Sequence, residues 1–199
     1  PERYRLGDDA RKRAIASAAS GLVTRGMVVG LSGGTTTDML AQMLGMRPDL
    51  HDESGRPALT VVTNSVNIAT TLAVRTHIKV VVTGGVMNSH SYELVGPFAE
   101  ETLSRISCDV SFIGVNGIDA AGSFAVDDEA EAVVNAMIAR RARRAYVVAE
   151  GSKIGVSAFA TLPEVKGLGL ITDQSAPDAA AEGLREAGID VVLAASRSR

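Results

Sequence analysis

The 199-residue chain has a single cysteine, Cys108, so an internal disulfide is excluded and a reducing setting is expected. It has no apolar run long enough to span a bilayer, and its first residues lack the apolar core of a signal peptide. A cytoplasmic protein without membrane contact is therefore expected. Charge of one sign is also scarce. Twenty Lys and Arg against 23 Asp and Glu leave a formal charge of −3, which argues against this segment being a nucleic-acid-binding surface by itself. The histidines, His51, His77 and His90, fall in or beside loops without the paired spacing of metal ligands, so no metal or other cofactor is expected. Fixed-period repeats and low-complexity segments are missing too. What the chain has is apolar residues, at 46%, enough to bury a proper core in one domain.

That apolar content is organised around one stretch, Met27 to Leu40. Met27 to Leu31 is uniformly apolar and reads as a buried strand. Gly33 and Gly34 follow, then Thr35, Thr36 and Thr37, then the helical spacing of Met39, Leu40, Met43 and Leu44. A strand, a glycine turn and a hydroxyl-rich helix start present unpaired backbone N–H groups to an anion. The two glycines admit positive φ and leave no Cβ in a ligand's way. The same pattern also fits a plain strand-to-helix turn with a threonine cap.

Along the chain, Pro1 to Leu6 shows no clear element and reads as a linker entering from upstream. Asp8 or Asp9 then caps a helix with Ile15, Ala18, Ala19, Leu22 and Val23 on its apolar face. Met46 to Pro57 is a polar loop. Strands are predicted at Leu59–Val62, ending in Thr63-Asn64-Ser65, and at Ile78–Val82, ending in Thr83-Gly84-Gly85. Val86 to Tyr92 reads as a loop or lid, and Gly96-Pro97 opens a helix. A strand from Asp109 to Val115 runs into Asn116-Gly117-Ile118-Asp119. Asp127-Asp128-Glu129 starts a helix reaching Arg140 and Arg141, with charges matching the macrodipole at both ends. Arg144–Ala149 and Leu168–Asp173 read as strands, Ala176–Ala187 as a helix and Ile189–Leu193 as the last strand. This alternation predicts an α/β fold, a Rossmann-like, mostly parallel sheet with helices on both faces. Successive strands ending in small polar residues put a ligand site at the carboxyl edge of that sheet.

The ordered set Gly34-Thr35-Thr36-Thr37, Thr63-Asn64-Ser65, Thr83-Gly84-Gly85, Gly96-Pro97, Phe112 to Asp119, Ser152-Lys153 and Ile171-Thr172-Asp173 resembles the C-terminal sensor domain of DeoR-family bacterial transcriptional repressors. The resemblance implies the fold of ribose-5-phosphate isomerase, glucosamine-6-phosphate deaminase and the CoA transferases. It implies residues 1–7 as a linker from a missing N-terminal helix-turn-helix domain and 8–199 as the effector-binding domain. The effector would be a phosphorylated sugar or related metabolite, operator DNA would be bound only through the absent domain, and the regulator would be a homo-oligomer.

Carried over by position, Gly34, Thr35 and Thr36 would cradle the phosphate, with Gly33 and Thr37 beside them in the effector-binding set and Lys153 neutralising the anion. Thr63, Asn64, Ser65, Gly84 and Gly85 would border the pocket, while Asn116, Gly117 and Asp119 would face sugar hydroxyls. Asp119 equally fits a turn terminator. The chain departs from the family pattern at Ser32 and Glu150, where Asp is usual. It departs again at Met87 and Asn88, and at Val134 and Asn135, where basic residues are common. The alternative is an isomerase or deaminase of the same fold. Isomerisation needs a carboxylate base, and Asn116 stands where such an enzyme has Asp, so no enzymatic activity is expected.

Overall fold

The computed structural model describes residues 2–51 and 56–195. In chain order, α1 (Glu2–Gly21) leads to β1 (Val28–Leu31), α2 (Thr35–Met46), β2 (Leu59–Thr63), α3 (Val66–Ala73) and β3 (Ile78–Val82). A hairpin of β4 (Val86–Met87) and β5 (Leu94–Val95) precedes α4 (Pro97–Ser104) and β6 (Cys108–Ile113). Then come β7 (Gly117–Ile118), β8 (Phe124–Val126), α5 (Glu129–Arg140) and β9 (Ala142–Val148). The chain closes with β10 (Ala160–Thr161), β11 (Leu168–Asp173), α6 (Asp178–Glu186) and β12 (Val191–Ala194).

Seven strands form one parallel sheet in the order β12-β11-β9-β6-β1-β2-β3. The period-2 alternation of side chains divides the core into two layers. Val29, Leu31, Val61, Val110 and Phe112 pack with α1, α2 and α3 on one face. Val62, Cys108, Ile113, Val147 and Leu170 pack with α4, α5 and α6 on the other. Cys108 is a buried core residue. Gly30 lies directly beneath α5, where a Cβ would stand 2.9 Å from Ile138 Cγ2. That close approach fixes α5 over the middle of the sheet.

The alternation of elements predicts the fold class correctly. Two local readings differ from the structure. The helix begins at Glu2, so the stretch expected to be an element-free linker is helical, and Asp8 and Asp9 lie inside α1 rather than capping it. Glu, Arg and Leu favour helix, and extending an existing helix backwards costs little once it is nucleated. Val86 to Tyr92 is not an open lid. It forms β4 and the turn of the β4–β5 hairpin, with Val86 paired to Val95 and Met87 to Leu94. Within the loop expected from Met46 to Pro57, Pro48–Leu50 form one 3-10 turn, and residues 52–55 lie outside the described ones.

At the start of α5, the Asp128 carboxylate accepts hydrogen bonds from the amides of Ala130 (2.9 Å) and Glu131 (3.0 Å). This is the helix start expected from the acidic run. Asp128→Ala should cost about 1 kcal/mol of unfolding free energy, measured by urea denaturation, because two first-turn donors lose their acceptor.

Candidate functional site

The strand order reverses direction between β1 and β6. From β1 the chain moves outward through β2 and β3; from β6 it moves the other way through β9, β11 and β12. Loops leaving such neighbours diverge and open a crevice at their carboxyl ends. Here the crevice is a cavity of about 870 Å³. Its floor is two glycine turns pressed together. A Cβ on Gly114 would meet the Gly33 carbonyl oxygen at 2.5 Å. Ser32, fully buried, ties the two turns, its Oγ accepting from the Gly114 amide at 2.9 Å. Ser32 therefore acts beneath the cavity and joins its walls.

Gly34 caps α2 with φ 130°, a backbone conformation that side chains disfavour. The cap residue offers no side-chain acceptor, and among the described residues no hydrogen bond is made by the amides of Thr35, Thr36 and Thr37. Gly33, Gly34, Thr35 and Thr36 all line the cavity. Ser65, Asn116 and Lys153 line it too. Lys153 reaches from the 3-10 turn Gly151–Lys153 and donates through Nζ to the Val115 carbonyl. Burial lowers its pKa, opposed by the nearby charge of Glu150. Glu150 itself pairs with Arg11 (3.5 Å) and Lys12 (3.6 Å) of α1.

The other expected site residues stand elsewhere. Thr37 is buried and its Oγ1 donates back to the Gly34 carbonyl at 2.8 Å, so it braces the helix start. Thr63 accepts from the Ser65 amide. Gly84 and Gly85 form the entry to the hairpin, where a Cβ on Gly85 would meet the Val95 carbonyl oxygen at 2.6 Å. Gly117 is packed against the Val156 backbone. Asp119 accepts from the amides of Ala121 and Ser123 at the tip of the β7–β8 hairpin. The Ser123 amide, foremost among several donors, holds its carboxyl below the usual range. The turn reading fits Asp119.

What sequence reasoning missed is the acidic wall. The β4–β5 hairpin lies along the end of β2, with the Leu94 amide donating to the Asn64 carbonyl at 2.7 Å. This pairing turns Glu93 inward against Gly33, where it is only 5% exposed. Asn64 Nδ2 donates to Glu93 Oε2 (3.0 Å) and to Asn135 Oδ1 (3.1 Å). Asn64 and Asn135 thus sit behind Glu93, their remaining amide atoms, Asn64 Oδ1 and Asn135 Nδ2, buried without hydrogen bonds among the described residues. Burial, and then the charge of Glu131, raises the Glu93 pKa to about 7, against donors at Asn64 and Gly33. Glu131, on α5, accepts at Oε1 from Asn88 Nδ2 (2.8 Å) and from Ser91 Oγ. Burial raises its pKa as well, with Asp128 and Asp127 adding repulsion. Asn116 donates to Asp127 at 2.8 Å.

The profile of the DeoR C terminal sensor domain matches residues 8–174 of this chain. Among similar proteins is the putative aga operon transcriptional repressor of Escherichia coli O157:H7, 31% identical over 185 residues, which span 92% of this chain and 65% of that one. Another is the HTH-type transcriptional regulator GlpR of Haloferax volcanii, 30% identical over 187 residues, 94% of this chain and 69% of that one. The chain thus spans about two thirds of the length of these regulators. In structure it is similar to ribose 5-phosphate isomerase A from Methanocaldococcus jannaschii, with a TM-score of 0.53 at 19% identity over 74% of this chain and 54% of that one, a likeness of fold. With a matched profile over most of its length and transcriptional regulators as its relatives, the chain belongs to the DeoR C-terminal sensor domain family.

Proposed function

We propose that this chain is the effector-sensing part of a transcriptional repressor controlling carbohydrate genes, and that its effector carries a phosphoryl group bound at the start of α2. The observation that supports this most is the uncapped first turn of α2, opening from Gly33-Gly34 into the cavity at the strand-order reversal. Backbone donors at a helix N-terminus favour a negative group without needing a cluster of cations. Lys153, which also lines the cavity, supplies the counter-charge. Operator contact belongs to a DNA-binding domain outside this chain, and effector occupancy modulates it. Catalysis is not part of this reading: Asn116, which donates to Asp127, holds no proton-accepting carboxylate at the end of β6.

Calorimetric titration with a panel of sugar phosphates and the matching free sugars tests it. The phosphorylated form should bind at least tenfold more tightly. A charge-assisted hydrogen bond contributes roughly 1.5–3 kcal/mol, so Lys153→Ala should weaken the best phosphate ligand by about ten- to a hundredfold. Thr35→Ala should cost less, since the backbone donors remain. Equal affinity for a free sugar and its phosphate, or no loss in Lys153→Ala, would reduce the glycine turn to a turn.

A further inference from the structure

The cavity is lopsided in charge. Asp38, Glu93, Asp127, Asp128 and Glu131 line it, and Lys153 is the one lysine or arginine among the described residues that does so. Five carboxylates against one lysine leave the lining acidic on balance. Most of the carboxylates are accounted for within the protein. Asp38 accepts from Gln42 and Thr71, Asp127 from Asn116, and Asp128 caps α5. Glu93 and Glu131 differ from these. Both are acidic residues more than nine-tenths buried that nonetheless line the cavity. They lie near enough for Glu93 to feel the charge of Glu131. Glu131 uses only Oε1 for its two donors, and its Oε2 has no hydrogen-bond partner among the described residues.

Glu131 Oε2 is not among the fully buried atoms, so it is reachable from the cavity, and two like charges there disfavour each other's ionised form. A positive donor in the cavity would relieve that repulsion. No three acidic, histidine or cysteine side chains among the described residues converge closely enough to hold a metal ion. An ammonium fits where a metal does not, since its three N–H donors point apart and can satisfy separate carboxylates.

We propose that Glu93 and Glu131 form a cation-reading subsite in this cavity, and that the effector is a zwitterion, a phosphorylated sugar bearing a free amine. The phosphoryl half rests on the function proposed above; the amine half rests on the two carboxylates. Each charge of the ligand then has an opposite group in the lining, Lys153 for the phosphoryl and the two carboxylates for the amine, and the amine relieves the repulsion that a phosphate alone would add.

Calorimetry at pH 7 separates the two halves. The probes are glucosamine 6-phosphate and galactosamine 6-phosphate, their N-acetyl forms, the parent hexose 6-phosphates and the free amino sugars. The free-amine phosphate of one epimer should bind at least tenfold more tightly than its N-acetyl and hexose counterparts. Glu131→Gln should collapse that ratio to near one, and Glu93→Gln, an independent variant at the same subsite, should reduce it. Equal binding of amine, N-acetyl and hexose phosphates would overturn the subsite, as would a Glu131→Gln variant that weakens all three alike. If a free amino sugar matches its phosphate while the amine preference and its dependence on Glu131 persist, the cation subsite stands and the phosphoryl reading falls. Absence of binding by every probe overturns both.

Discussion

Glu93→Gln should remove a large part of the pH dependence of this protein's stability. The Glu93 carboxyl titrates near pH 7 in the folded chain, against 4.5 ordinarily, because burial and the Glu131 charge disfavour its ionised form. Between those two values the folded state holds a proton that the unfolded state has lost. Stability from this group is therefore fully present below pH 4.5, declines as pH rises, and is gone above about pH 7. A tenfold change in proton affinity corresponds to roughly 1.4 kcal/mol, so the whole change is about 3 kcal/mol. Glutamine keeps the shape and has no charge to bury. Its stability relative to wild type should rise by about 3 kcal/mol from pH 4.5 to pH 8, read from urea denaturation at a series of pH values. The change in that difference is the diagnostic quantity, since an altered hydrogen bond to Asn64 or Gly33 displaces both ends equally. Parallel curves for the two proteins would show that Glu93 is ordinarily solvated and that the hairpin does not bury it.

Gly151→Ala should be the most damaging small substitution at the site. A Cβ there would lie 2.1 Å from the Ala176 backbone nitrogen and 2.5 Å from its Cα. Backbone cannot swing aside as a side-chain tip can, so the 3-10 turn Gly151–Lys153 must move away from the end of β11. The Gly151 amide would then lose its 2.8 Å hydrogen bond to Asp173. Burial works against the charge on Asp173, yet the amides of Gly151 and Ser175 hold its carboxyl below the usual range. Overpacking of this kind costs roughly 3 kcal/mol. Because Lys153 rides on the displaced turn, anion affinity should fall with stability. A fully stable Gly151→Ala protein with unchanged affinity would mean that the turn has slack to spare.

The legible part of this molecule is its periodicity. Val29 and Leu31 against Gly30, and Val110 and Phe112 against Ser111 and Ile113, announce strands between two layers, and the glycine turns mark where those strands end. Gly33 to Thr36 are readable as a cavity wall because their chemistry is local: a strand end and the next helix start supply everything. Glu93 is not readable in that way. Nothing in Tyr92-Glu93-Leu94-Val95 distinguishes an inward acid from a solvated one; its direction is set by pairing with Asn64 and Ser65, some thirty residues earlier. Glu131 is hidden by a correct reading. The acidic run does start α5, and Asp128 does cap it, which leaves no reason to ask what the next acid along the helix meets. Asn64 and Thr37 mislead for the opposite cause, being of the right type and place in sequence but turned to brace the loops beneath the cavity.

The two glycine turns that floor the cavity belong to strands some eighty residues apart, joined by the Ser32–Gly114 bond and, at the other end of the strands, by the Val28 amide on Asp109. Such pairing closes a long loop and comes at a high entropic cost during folding. The cavity therefore has no precursor in either half of the chain: a fragment ending before β6 has the α2 turn but no facing wall. Its appearance marks completion of the central sheet, so recovery of ligand binding during refolding should track the slow global phase rather than early helix formation.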